Sequence, residues 1–256
     1  MPSERQVWAT VAWLLLAAAV PLLYLYVDRP LALAMRTLDP AAVALARAVT
    51  DFGKSEWTLV PSALLALYAL WRRRGAVRSA LRRGYGWLAA AASFVCLSVA
   101  LSGIAVNIVK FLAGRARPKL LGEPGIYGFH PFAGDADFQS FPSGHATSAM
   151  AAAFALAFLM PRWRWRILAL GAALSLTRLV VGAHFLGDIL AGGLLAFATA
   201  ALLRAAFLAR GWGFVRGAAG RPMPRRHARR LAAGLLRTDL RRLAGTVAPM
   251  RRERQR

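Results

Sequence analysis

The stretch GYGWLAAAASFVCLSVALSGIAVNIV (Gly84–Val109) contains no Lys, Arg, His, Asp or Glu. A helix over it, rising ~1.5 Å per residue, is long enough to cross the ~30 Å of a bilayer's hydrocarbon. Working outward, five more apolar stretches read the same way: Val7–Val27, Trp57–Trp71 (starting near Lys54), Gly144–Met160, about Arg166–Val181 and about Gly187–Leu203. A cleavable signal peptide fits Val7–Val27 less well, because the apolar run is too long and no small-x-small site precedes Asp28. The expected fold class is therefore all-α, a polytopic membrane helix bundle of about six transmembrane helices. The expected domains are a transmembrane unit over 1–209 and a basic tail over 210–256.

Composition agrees. Of 256 residues, 58% are hydrophobic, which a disordered polyelectrolyte lacks. Yet 34 Lys and Arg face only 11 Asp and Glu. The two extremes coexist because apolar and cationic residues occupy different segments, a pattern that does not fit a soluble nucleic-acid binder. The single cysteine, Cys96, excludes an intramolecular disulfide and any zinc site built on several thiolates; amid Ala and Leu it reads as a packing residue.

Charge orients the spans. Arg72, Arg73, Arg74, Arg78, Arg82 and Arg83 lie between spans two and three, and Arg162, Arg164 and Arg166 between four and five, with no acid in either loop. Residues 210–256 hold 14 Arg against Asp239 and Glu253. The positive-inside rule places these segments and both termini in the cytoplasm. The expected location is a bacterial inner membrane. In the tail, Leu236, Leu240, Leu243 and Val247 form one helical stripe, with Arg230, Arg237 and Arg241 on another. An interfacial helix held by anionic lipid and a solvated basic tail both fit it.

Helix parity brings two unusual loops to the opposite, outer face. One opens with Lys110-Phe-Leu-Ala-Gly-Arg-Ala-Arg117-Pro118 and closes with Phe141-Pro142-Ser143-Gly144-His145. The other reads Thr177-Arg178-Leu-Val-Val-Gly182-Ala-His184-Phe-Leu-Gly-Asp188. Lys110, Arg117 and Arg178 are cations at the membrane edge, where an unpaired charge is costly. Guanidinium forks fit phosphoryl oxygens. Ser143 and Gly144 open span four, where free backbone N–H groups bind anions and a residue without Cβ permits close approach. Ser143 serves equally as a helix cap.

His184 and Asp188, four apart at the start of span six, are expected on one helical face. A carboxylate on one ring nitrogen would fix the tautomer and free the other nitrogen as nucleophile. His145 then suits a general acid for the departing alkoxide and a base for water. No acidic cluster accompanies the histidines, so a two-metal site is not expected. His130, His227, Asp135 and Asp137 read as solvated loop residues. The segment Thr50–Trp57 reads as a cap and aromatic anchor, with Lys54 its one candidate at the site.

The pattern resembles the three-part signature of the type-2 phosphatidic acid phosphatase and vanadium haloperoxidase superfamily: K-x6-R-P, P-S-G-H and S-R-x5-H-x3-D. It is met by Lys110 to Pro118, Pro142 to His145, and Arg178, His184 and Asp188, over about residues 110–192, with Thr177 in place of the usual Ser. The resemblance implies that His184 attacks phosphorus and becomes a phosphohistidine, that His145 protonates the leaving oxygen, and that Asp188 orients the nucleophile. It further implies that Lys110, Arg117, Ser143, Gly144 and Arg178 hold the phosphoryl oxygens, with no metal or other cofactor.

The expected activity is a membrane lipid phosphate or diphosphate phosphatase. Phosphatidic acid, phosphatidylglycerophosphate, undecaprenyl pyrophosphate and lipid A all fit as substrate partners, with the membrane itself and no nucleic acid. Two alternatives are a vanadate-dependent haloperoxidase and a non-catalytic phospholipid-binding or carrier protein.

Overall fold

The structure, a computed structural model, describes residues 14–16, 18–123, 125–217, 222–224 and 229–239. Helices occupy all six expected stretches: α1 (Leu14–Met35), α3 (Glu56–Arg74), α4 (Ser79–Ala113), α5 (Gly144–Leu159), α6 (Arg164–Val180) and α7 (Leu186–Ala209). Residues 7–13 of the first stretch lie outside the described residues. By length and composition, α1, α4 and α7 can each cross a membrane, and α5 is a shorter apolar helix.

Three features differ from the sequence expectation. Helix α1 does not stop at Val27 but continues through a π-helical turn, Leu23–Val27, to Met35. It can do so because Asp28, fully buried, has partners for its charge. A helix α2 (Pro40–Thr50) fills part of the stretch read as a loop. Its start is locally encoded: Asp39 accepts the Ala41 N–H at 2.7 Å, and Pro40 takes the first helical position, where no N–H is needed. The third difference is a two-stranded antiparallel ribbon, β1 (Phe214–Arg216) with β2 (Pro222–Pro224).

The chain divides into two compact units. Unit one comprises Met1–Leu59 and Val95–Leu203. Its core is built of small side chains: Ala146, Ala151, Ala153, Ala155, Ala196 and Ala200 are all buried. Small residues let helix backbones approach closely where the surrounding lipid is as apolar as leucine. The large apolar residues Leu101, Ile104 and Ile108 of α4 are exposed instead, the arrangement expected of a surface facing hydrocarbon.

Unit two comprises Val60–Phe94 and Arg204–Arg256. Here Ala69, Tyr85, Leu88 and Ala89 form a core with Ala232. Ala232 lies on α8 (residues 229–239), which also packs Leu235 and Leu236 on that core. Leu236, the first member of the expected amphipathic stripe, thus packs on protein. Leu240, Leu243 and Val247, like His227, lie outside the described residues. Asp239 closes α8 by accepting from Tyr68 and Tyr85 hydroxyls, both at 2.8 Å, and pairing with Arg72 at 3.3 Å.

Candidate active site

All eight sequence-predicted site residues fall within unit one, and backbone hydrogen bonds stitch their three segments together. The Ser140 N–H donates to the Arg115 carbonyl at 2.9 Å, joining the first motif to the second. The Ser143 N–H donates to the Asp188 carbonyl at 3.0 Å, joining the second to the third.

The third segment is shaped by the end of α6. Gly182 adopts φ +71°, a left-handed conformation glycine takes without steric cost. The Gly182 N–H bonds to the Leu179 carbonyl at 2.9 Å and the Ala183 N–H to the Arg178 carbonyl at 3.0 Å, the paired bonds of a Schellman ending. This turn fixes Arg178, in the last turn of α6, relative to His184. His184 therefore sits ahead of α7, not on its first turn, so the expected shared helical face with Asp188 is not formed. Asp188 instead stands at the third position of α7 and reaches back to accept the Phe185 N–H at 2.9 Å, the carboxylate half of a capping box.

His184 is almost wholly buried. Its Nδ1 is 2.8 Å from the Ser140 carbonyl oxygen, while Asp188 Oδ2 lies 3.7 Å from the same nitrogen, an ion-pair distance too long for a hydrogen bond. A carbonyl oxygen only accepts, so Nδ1 carries the proton and Nε2 keeps its lone pair. The tautomer follows from a backbone group. Asp188 acts through Ser140, whose hydroxyl donates to Asp188 Oδ2 at 2.6 Å. Burial pushes the His184 imidazole below its ordinary range. Contact with Asp188 opposes that shift, and the charges of Arg117 and Arg178 add to it.

The second segment begins α5. Ser143 is fully buried as N-cap, its hydroxyl accepting the Ala146 N–H at 3.5 Å. Gly144 and the half-buried His145 follow as the first two helical residues. A Cβ placed on Gly144 would lie 3.4 Å from Lys110 Nζ, so the last turn of α4 delivers its ammonium to this helix start. Arg117 is held by its Nε donating to the Ala136 carbonyl at 2.9 Å, and Arg178 by donating to the Thr50 hydroxyl at 3.2 Å.

The three cations lie close enough to act on one another, and the charges of Arg178, Lys110 and Lys54 reach His145. The Nε of Arg178 is buried with no hydrogen-bond partner among the described residues. Three clustered cations, one with an unused donor, are what an anionic ligand would complete. Thr177, which differs from the family signature, donates its hydroxyl to the Leu174 carbonyl of its own helix at 2.6 Å.

Sequence reasoning missed Arg115 and Asp28. Arg115 is 1% exposed and forms buried ion pairs with Asp188 at 2.5 Å and with Asp28 at 2.8 Å. The only available signals were a third cation inside the first motif and a lone acid ending an apolar run. Of the remaining candidates, Lys54 pairs with Asp51 at 3.0 Å on the surface and lines a cleft of about 440 Å³ beside His145. Glu56, Leu59, Val99 and Asn107 also line that cleft. Asp137, expected to be solvated, pairs with Lys119, and its carbonyl accepts the Arg117 N–H at 2.9 Å. His130 is exposed and Cys96 is half-buried and free. Among the described residues, no group of three or more His, Cys, Asp or Glu could hold a metal ion.

The sequence profile of the PAP2 superfamily matches residues 91–212. The lipid A 1-phosphatase of Rhizobium etli is 38% identical over 178 residues, covering 68% of this chain and 74% of that protein. The lipid A 1-phosphatase of Rhizobium johnstonii is 35% identical over 196 residues, covering 75% and 77%. The crystal structure of the first transmembrane PAP2-type phosphatidylglycerolphosphate phosphatase from Bacillus subtilis shares the fold. It matches with TM-score 0.53 and 19% identity over 78% of this chain and 94% of that one. The chain belongs to the PAP2 superfamily. Within that superfamily it is a membrane lipid phosphatase.

Proposed function

We propose that this chain removes the 1-phosphate of lipid A at the outer surface of the bacterial inner membrane, through a phosphohistidine intermediate and without a metal. The observation that carries the chemistry is the bond from His184 Nδ1 to the Ser140 carbonyl, which leaves Nε2 as the free electron pair. Substrate class is supported by the two lipid A 1-phosphatases, each matched over about three quarters of its length.

Lys110, Arg117, Arg178 and the N–H groups at the start of α5 hold the phosphoryl oxygens and spread their charge. Nε2 of His184 attacks phosphorus in line, and the bond to the lipid oxygen breaks. His145 gives its proton to that oxygen. Water then attacks the phosphohistidine with His145 taking its proton, and inorganic phosphate leaves as His184 is restored. The cleft beside His145 gives the lipid portion a place on the leaving-group side. The phosphatase domain spans 1–209, with the basic tail and both termini in the cytoplasm.

The test is phosphate release by the purified protein in detergent, with EDTA present. Lipid A is compared with phosphatidic acid, phosphatidylglycerophosphate and undecaprenyl pyrophosphate by kcat/KM, with His184→Ala as control. A higher kcat/KM on lipid A supports the assignment. Preference for another lipid rejects the substrate, equal release by His184→Ala rejects the mechanism, and loss of activity in EDTA rejects metal independence.

A further inference from the structure

Asp188, beside His184, is one arm of a buried ionic group whose other members, Arg115 and Asp28, the reaction described above does not use. Arg115 donates from one guanidinium nitrogen to Asp188 Oδ1 and from another to Asp28 Oδ2. The guanidinium is walled by aromatic rings, with Phe185 at 4.3 Å, Tyr24 at 5.0 Å and Phe129 at 5.5 Å from its carbon. Asp28 is fully buried and also accepts the Gly187 N–H at 2.9 Å. Both Asp28 and Asp188 thus cap the start of α7, which begins two residues after His184. The approach is tight: a Cβ on Gly187 would lie 2.7 Å from Asp28 Oδ2.

The charge count matters as much as the geometry. One guanidinium against one carboxylate would cancel, and Asp188 would offer His184 little field. With Asp28 as second carboxylate, the group carries a formal net negative charge beside the imidazole. That charge favours a cationic ring, and a phosphohistidine formed at Nε2 is such a ring.

We propose that Asp28 and Arg115 are positioning residues for the nucleophile: they lock Asp188 and the start of α7, and Asp28 leaves the buried group with the negative charge that supports His184. This rests on the reading of His184 as nucleophile. The other charged or titratable groups facing His184 are Asp188 on α7, Arg178 on α6, Arg117 in the loop after α4, and His145 on α5. None of them is altered in the test.

The test is the pH dependence of kcat/KM for phosphate release from dioctanoyl phosphatidic acid or lipid A by the full chain in detergent, whichever the wild type hydrolyses. Asp28→Asn brings the group to neutral, so kcat should fall about 10- to 100-fold, the scale on which loss of an outer partner weakens a metal-bound histidine. KM should stay within about twofold, since no phosphoryl contact is lost. The acid limb should move down by about one unit, the effect of one charge near a buried site. Arg115→Met leaves two carboxylates and should move the limb up. The double variant restores the wild-type charge and should return the limb towards its original position.

A merely structural role would lower the yield of folded protein without shifting the limb in opposite directions. Should Asp28→Asn fail to fold, the upward shift in Arg115→Met remains decisive. A limb that stays put in every variant that folds overturns the proposal. Failure of the parent reading has a different signature, wild-type activity that survives His184→Ala.

Discussion

The Nδ1 of His184 bonds to the backbone carbonyl of Ser140 at 2.8 Å, while Asp188, which accepts the Ser140 hydroxyl, stands 3.7 Å from the same nitrogen. A carbonyl cannot be removed by substitution, so the tautomer is insulated from side-chain change at position 140. Ser140→Ala should keep kcat within about tenfold while losing about 1.5–3 kcal/mol of stability, the cost of a hydrogen bond to a charged group. Thermal unfolding in detergent and phosphate release measure the two. A loss in kcat as large as that of His184→Ala would show that the hydroxyl, not the carbonyl, sets the tautomer.

The pH dependence should carry the mark of burial. Because burial holds the His184 imidazole below its ordinary range, the ring stays neutral at pH values where a free histidine has begun to protonate. A nucleophile must be neutral, so the acid limb of kcat/KM for the free enzyme should have its midpoint below about 6.5. A His184-dependent limb with a midpoint above that value contradicts this.

Arg178 has an unused buried donor at Nε, which a phosphoryl oxygen would satisfy. Arg178→Ala should lower kcat/KM by roughly 100- to 1,000-fold, in the range for losing one preorganised charged donor at a reacting centre. Arg178→Lys keeps the charge but not the fork, and should recover less than about tenfold of that loss. Inhibition by vanadate should weaken in parallel. Full rescue by lysine would mean that only charge is read.

In unit two, Asp239 ties α8 to Tyr68, Tyr85 and Arg72. Asp239→Ala removes these contacts and should expose the tail to trypsin at Arg237, seen as faster loss of a C-terminal fragment. Phosphate release should stay within about twofold, because these residues belong to unit two and the site to unit one. Unchanged proteolysis would mean that Ala232, Leu235 and Leu236 suffice to hold the helix.

The stretches of α1, α3, α4, α5, α6 and α7 were legible because each is a run of apolar side chains bounded by charge or turn signals. Helix α2 is not marked by hydropathy, although Asp39-Pro40 signals its start. The candidate residues Lys110, Arg117, Ser143, Gly144, His145, Arg178, His184 and Asp188 stand out through fixed local spacing, and the structure joins their segments by backbone hydrogen bonds. Arg115 and Asp28 do not stand out, since their partners lie 87 and 159 residues away along the chain. No periodicity marks such a pairing. The role of Ser140 was invisible for another reason: its carbonyl is a backbone group that every residue possesses.

Sequence by itself determined the membrane bundle and marked the eight candidate residues in three short motifs, because hydropathy and motif spacing are local properties of the chain. Tertiary structure alone decided how His184 is held, by a backbone carbonyl first and a carboxylate second. It also decided that Asp188 shares Arg115 with Asp28. Those are choices among buried partners, and burial makes each unpaired charge so costly that folding must bring distant residues together to satisfy it.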